Sequence, residues 1–156
     1  MTTRRVLLQA GGAAVIVAGL AGAGAFALTR TPRRALEPWS RAGESFGDPR
    51  LDALAFAILA PNPHNMQPWR VALEGDDALA VYCDTARLLP ETDPPGRQIT
   101  IGFGCFLELL RQAAAEKGLV AVIDPFPEGE PQPVLDARPV ARVRLKADAG
   151  AVRDPL

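Results

Sequence analysis

Histidine occurs once in these 156 residues and cysteine twice, with the two cysteines far apart. No Cys-x-x-Cys or His-Glu-x-x-His spacing is present, so the chain has no ligand set from which to build a zinc site. Charge of one sign is also lacking. The net charge is −1, and the basic residues after position 50 are scattered, so no nucleic-acid partner is expected. No internal repeat is found. The apolar fraction of 48% is ordinary for a folded protein and excludes wholesale disorder. Proline and glycine, in contrast, are plentiful, at fifteen and fourteen. The prolines gather at 61–68, 90–95 and 125–133, which marks those stretches as connections.

The N-terminus reads as an address. Thr3-Arg4-Arg5-Val6-Leu7-Leu8 sets paired arginines directly before an apolar run. From Ala10 to Leu28 there are nineteen uncharged residues: eight Ala, five Gly and six from Val, Ile, Leu and Phe. A basic flank, a modest apolar stretch and small residues are the parts of a signal peptide. The arginine pair followed by Val-Leu-Leu resembles the twin-arginine export motif. Ala23-Gly24-Ala25 and Ala25-Phe26-Ala27 are both small-x-small cleavage sites. The alternative is a plain transmembrane helix, because nineteen residues approach the roughly 20 needed to span. The Ala and Gly content weakens that alternative. Export to the periplasm or cell envelope is the expectation, with anchoring by residues 10–28 left open. The twin-arginine route carries proteins already folded, which suits a protein that loads a cofactor before export. Residues 1–30 are therefore set apart as signal, and 31–47, basic and then punctuated by Gly and Pro, as linker. That leaves residues 48–156, roughly 110 residues, for a small core.

Asp48-Pro49 predicts a helix start, with an N-cap carboxylate and proline at the first helical position. Leu51, Leu54, Ala55, Ile58 and Leu59 then recur at helical spacing until Pro61. Residues 69–73 alternate as a strand, Gly75-Asp76-Asp77 turns the chain, and 78–83 returns. The strongest helical signal is 97–117. Ile99, Phe103, Phe106, Leu107, Leu110, Ala113 and Ala114 form its stripe, which Ile101, Cys105 and Leu109 widen. Such a helix is expected to be buried on several sides, in a core or between subunits. Gly118 suits a C′ cap. Residues 119–123 read as a strand, and Val140, Val143 and Leu145 among Arg142, Arg144 and Lys146 as a last, edge-like one. Helix, hairpin, helix, strand, strand gives an α+β fold.

The loop from Ala60 to Arg70 is the most informative segment. Three prolines in eight residues stiffen it and lower the cost of holding its side chains. Asn62, Asn65 and Gln67 each offer an amide donor and an amide acceptor. A flavin ring edge alternates carbonyl acceptors with an N–H donor, and carboxamides match both. The same composition also suits a simple turn, since Asn and Pro are turn formers.

Ala60-Pro61 followed by Asn65-Met66-Gln67-Pro68-Trp69 resembles the Ala-Pro…Asn-x-Gln-Pro-Trp loop of the nitroreductase superfamily. Arg87-x-x-Pro90, Asp93-Pro94, Arg97-Gln98 and Gly102-x-Gly104 resemble a longer, exported branch of it. The resemblance runs from about Trp39 to the end of the chain. It implies an FMN-binding α+β fold, usually a homodimer or a tandem pseudo-dimer. It also implies electron transfer from a reduced nicotinamide, or another electron donor, to a small aromatic acceptor such as a nitroaromatic or a quinone. By the same resemblance Asn65 and Gln67 contact the isoalloxazine ring, and Asn62, Pro63 and His64 line the adjoining wall. Two departures from the family pattern stand out. No Arg-x-Ser-x-Arg-like phosphate cluster precedes the 48–59 helix, where Arg41 and Arg50 are loose candidates only. The family domain is also longer, so the chain reads as an incomplete, N-terminal portion of it.

His64 is expected to line the ring or bond within its loop rather than act as a base, because flavin chemistry takes and gives hydride at the ring. Cys83 and Cys105 read as buried thiols, although an exported protein permits a disulfide. Trp69 reads as a core anchor for the hairpin. Reduced nicotinamides are cytosolic, which keeps two rivals beside the oxidoreductase: an exported protein that binds or sequesters flavin without catalysis, and a membrane-tethered fragment without ligand.

Overall fold

The computed structural model describes residues 3–148, 150, 151 and 153. The chain divides into two compact units, residues 1–37 and 38–156. In the first, α1 (Arg4–Thr29) is a single helix whose described side chains are exposed. Alanine supplies the helix propensity that its five glycines reduce. By length and composition it is long and apolar enough to cross a membrane. Within the segment that reads as linker, Arg33–Arg41 form a short helix, α2.

The second unit is α+β. Its elements are α3 (Pro49–Ala57), β1 (Trp69–Glu74), β2 (Ala78–Cys83), α4 (Arg97–Glu116), β3 (Leu119–Pro125) and β4 (Pro139–Ala147). The strands form one antiparallel sheet in the order β1-β2-β4-β3. Helices α3 and α4 pack on each other, and α4 also packs on β3. The core lies between helices and sheet, with Leu79, Val81, Ile99, Phe103, Phe106, Leu110, Val143 and Leu145 at its centre.

The expected N-cap of α3 is present: Asp48 Oδ1 accepts from the Arg50 backbone N–H at 2.8 Å, behind Pro49. Its fully buried residues, however, are Ala53 and Ala57. The larger stripe is only half covered, with Leu51 exposed and Leu54 and Ile58 partly buried. Small residues let α3 approach α4 closely, so alanine rather than leucine sits at the tightest contact.

Arg50 is the fixed point of this corner. Its guanidinium pairs with Asp48 at 2.7 Å, and Nη1 donates to the carbonyls of Gly75 and Ala78 at 2.7 and 3.0 Å. One buried arginine thus ties the start of α3 to the β1–β2 turn, and the Asp48 carboxyl is held below its ordinary range by that hydrogen bond.

Helix α4 begins at Gly96, which adopts a left-handed conformation (φ 63°). The cap is supplied from outside the helix: Asp93 Oδ2 accepts from the Gln98 and Ile99 N–H groups at 2.8 and 3.1 Å. Gly118 ends the element with φ 71°, as its C′ position requires. The expected burial on several sides is only partly realised. Ile101 is 56% exposed, and Cys105 and Leu109 are partly buried.

Strand β4 corrects the expectation of an edge strand, because it pairs with both β2 and β3 and so lies inside the sheet. From Ala141 to Lys146 its alternation is regular. Val143 and Leu145 enter the core while Arg142, Arg144 and Lys146 are exposed. Acidic partners on neighbouring segments make that basic face tolerable: Arg142 lies 3.2 Å from Glu128, and Arg144 lies 3.5 Å from Asp77. Charged residues on one face of an antiparallel sheet mark a solvated face as readily as an edge. Cys83 and Cys105 are both free thiols. Burial, reinforced by Asp84, pushes the Cys83 thiol up to about 11, so it is protonated at neutral pH.

Candidate functional site

The loop between α3 and β1 departs from ordinary backbone geometry at three of the four positions 64–67. His64, Asn65 and Gln67 all have positive φ, at 50°, 53° and 51°. None is glycine. The left-handed region is uncommon for residues with a Cβ, and strained residues concentrate where a ligand is held. The prolines contribute by fixing their own φ: Pro63 opens the 3-10 turn Pro63–Asn65, and the fully buried Pro68 leads into β1.

What holds the loop is mainly Asn62. Its Oδ1 accepts from the Gln67 backbone N–H at 2.8 Å, and its Nδ2 donates to the Ala60 carbonyl at 3.1 Å. The Asn62 carboxamide is therefore committed to the loop itself. A second chain of bonds runs outward. The Trp69 indole N–H donates to Gln67 Oε1 at 3.2 Å, and Gln67 Nε2 donates to Asn65 Oδ1 at 2.9 Å. An indole can only donate, so it fixes which end of the Gln67 amide faces it, and Gln67 in turn fixes Asn65. The result is an ordered relay of amides from the core to an exposed tip.

Trp69 is secured from below. Its ring lies edge-on to Phe103, with centroids 5.4 Å apart, and tilted against Phe106 at 5.0 Å. Both phenylalanines are buried residues of α4. Such aromatic pairs add roughly 0.5–1.5 kcal/mol beyond area burial, so the outermost amide bond is referred back to the centre of the core. Trp69 is the hairpin anchor that the sequence suggests, and it also orients Gln67.

Helix α4 supports the loop at Gly102. A Cβ there would lie 3.5 Å from Asn62 Cβ and 3.6 Å from the Pro61 carbonyl oxygen, so anything larger than alanine meets the loop. From the other side Arg87 Nη1 donates to the Met66 carbonyl at 2.7 Å, and Asp84 N–H donates to the Pro68 carbonyl at 2.8 Å. The Asp84–Arg87 ion pair, at 3.3 Å, braces that contact.

Of the sequence-selected residues, the fold brings Asn62, Pro63, His64, Asn65 and Gln67 together on this one loop. His64 and Asn65 are exposed, and Asn62, Pro63 and Gln67 are partly buried. Arg87, Asp93 and Gly102 enter as supports. Their contacts cross 21, 5 and 40 positions of sequence and carry no periodic signal; only the resemblance drew attention to those positions. Neither loose phosphate candidate is placed for that task. Arg50 is buried in its clamp, and Arg41 pairs with Glu44 at 3.0 Å and stacks over Phe46. Among the described residues no group of three or more His, Cys, Asp or Glu is placed to hold a metal ion.

Asn65 and Gln67 thus present amide donors and acceptors at the tip of the loop. Three described hollows, of about 260, 330 and 460 Å³, lie elsewhere, and residues 62–67 line none of them.

No protein-family model matches the chain. Similar proteins occur in Mycobacterium tuberculosis. A protein named "Putative NAD(P)H nitroreductase acg" is 37% identical over 108 residues, which is 65% of this chain and 32% of that protein. A second, "Putative NAD(P)H nitroreductase Rv3131", is 33% identical over 75 residues, covering 48% of this chain and 22% of its own length. An uncharacterized protein of the same organism is 39% identical over 80 residues, 49% of this chain. The chain spans about a third of the length of the first of these relatives. Likeness of this extent to proteins so named, over an α+β body with a four-stranded antiparallel sheet, supports the nitroreductase superfamily for this stretch.

Proposed function

We propose that the chain is the N-terminal portion of an FMN-dependent oxidoreductase of nitroreductase type. The observation that carries this reading is the amide relay Trp69–Gln67–Asn65, held on a loop whose His64, Asn65 and Gln67 all adopt left-handed geometry. A rigid carboxamide tip with both donors and acceptors suits a flavin edge, and the left-handed backbone at Gln67 is uncommon for a residue with a Cβ. The names of the mycobacterial relatives point to the same chemistry.

When bound, FMN supplies hydride and electron transfer between a reduced nicotinamide, or another donor, and a small aromatic acceptor. The chain's part is to hold and orient the ring. In this reading Gln67 and Asn65 turn from bonding each other to bonding the flavin edge, while Asn62 keeps the backbone in place. Pro63 and His64 form the neighbouring wall. Arg41 and Arg50 are committed to other partners, so the phosphate is assigned to residues outside this loop. Export by the twin-arginine route belongs to the same proposal, because that route delivers a folded, loaded protein.

The test is turnover. Full-length protein supplied with FMN is mixed with NADH or NADPH and a nitroaromatic or quinone acceptor, and acceptor-dependent donor oxidation is followed. Turnover that disappears in Gln67→Ala supports the proposal. Tight FMN binding without turnover under any donor identifies the flavin-sequestering alternative instead.

A further inference from the structure

We propose that α2 is a membrane-interfacial helix that lies on an anionic lipid surface. The segment from Arg33 to Arg41 is helical although its composition is that of a linker. At 100° per residue, Arg33, Arg34, Glu37, Ser40 and Arg41 fall on one side, and Ala35, Leu36, Pro38 and Trp39 on the other. The division is complete: no apolar residue lies within the polar arc. The apolar side is not buried. Leu36 is 49% and Trp39 64% exposed, and the helix has no buried residue.

An exposed apolar side needs an occupant, and three observations point to lipid. First, α2 follows α1 after a bend of three residues, and α1 is long and apolar enough to cross a membrane. Pro32 opens α2: its carbonyl accepts from the Ala35 and Leu36 N–H groups at 2.9 and 3.2 Å. Second, Arg30, Arg33 and Arg34 cluster where the apolar run ends. Arginines beside a membrane span attract anionic head groups, while their stems lie along the acyl boundary. Third, the apolar side carries a tryptophan, the residue enriched at the membrane–water boundary because its ring is apolar and its N–H is polar. A basic polar face opposite Trp and Leu is the pattern of a helix lying in the plane of the interface. Signal cleavage at either small-x-small site would leave α2 near the new N-terminus, so contact with the surface would outlast removal of α1.

The experiment uses the full chain with vesicles of phosphatidylglycerol and phosphatidylcholine, some carrying lipids brominated at shallow acyl positions. Trp39 is read as the fluorescence difference between the parent and Trp39→Phe, which subtracts the signal of the partly buried Trp69. The expected result is flotation with the vesicles, a blue-shifted Trp39 component, and its quenching by the shallow brominated lipids. Arg33→Glu/Arg34→Glu should lose that quenching while Trp69 emission and helix content are unchanged. Failure to float overturns the proposal, as does a floating protein whose Trp39 is quenched only by aqueous acrylamide. A blue shift that follows protein concentration and ignores brominated lipid also overturns it, by assigning this side to a second copy of the chain.

Discussion

Removing the Asp93 carboxylate is expected to loosen the start of α4. Asp93 is buried and lies outside the helix, with Oδ2 accepting from the Gln98 and Ile99 N–H groups at 2.8 and 3.1 Å. Ile99 is fully buried, so its N–H finds no water when the acceptor is lost. Loss of a helix cap costs about 0.5–2 kcal/mol, and an orphaned buried N–H places Asp93→Ala at the upper end, about 2 kcal/mol. For a body of this size that corresponds to a fall of about 8 °C in Tm. Asp93→Asn keeps an oxygen in place and loses only the interaction of the charge with the helix N-terminus, about 0.3–1 kcal/mol, or about 1–4 °C. Differential scanning calorimetry of the full chain in detergent, with helix content followed by circular dichroism, reads both values. An alanine variant that unfolds within about 1 °C of the parent would refute the capping argument. Equal losses in Asn and Ala would show that charge, not acceptor position, is what Asp93 contributes.

Gly102 should tolerate alanine, whose Cβ makes ordinary contact with Asn62 and Pro61, but not leucine. Gly102→Leu is expected to retain its helix content while weakening FMN binding by at least about tenfold, measured by flavin fluorescence titration. Acid sensitivity should come in part from Glu108. Hydrogen bonds from Arg111, then Gln112, lower its carboxyl from 4.5 to about 2. A depressed folded-state value contributes stability above the unfolded value, and that contribution is lost as pH falls from about 4.5 to about 2. The pair is solvent-exposed, so screening leaves a few tenths of a kcal/mol. Glu108→Gln should therefore lower Tm by about 1 °C at neutral pH, where the contribution is fully present, and approach the parent as pH falls from about 4.5 to about 2. A larger change near pH 7 would contradict this.

The elements of the second unit were largely legible because each carries its own local signal. Asp48-Pro49 starts α3, Gly75-Asp76-Asp77 turns the hairpin, and Gly118 ends α4. Placement was less legible. The alternation of β4 shows one charged face but not whether a further strand pairs alongside, so its interior position depends on β2, which is distant in sequence. In α3 the apolar stripe points to leucines, whereas helix approach selects Ala53 and Ala57. Site composition was visible in Asn62, Asn65 and Gln67, yet not the division of labour among them. That Asn62 binds its own loop, and that Trp69 sets the orientation of Gln67, follow only from distances. The left-handed geometry at Gln67 has no sequence signal, since glutamine does not announce it as glycine, or to a lesser degree asparagine and histidine, would.

The central claim is that the amide tip of this loop holds a flavin. Its most direct test is the visible spectrum of the full-length protein, with an FMN titration, beside Asn65→Ala/Gln67→Ala. The account predicts flavin bands and saturable binding in the parent, and an affinity at least about tenfold lower in the double variant at unchanged helix content. A folded parent that takes up no FMN, or a double variant that binds it equally well, would contradict the account.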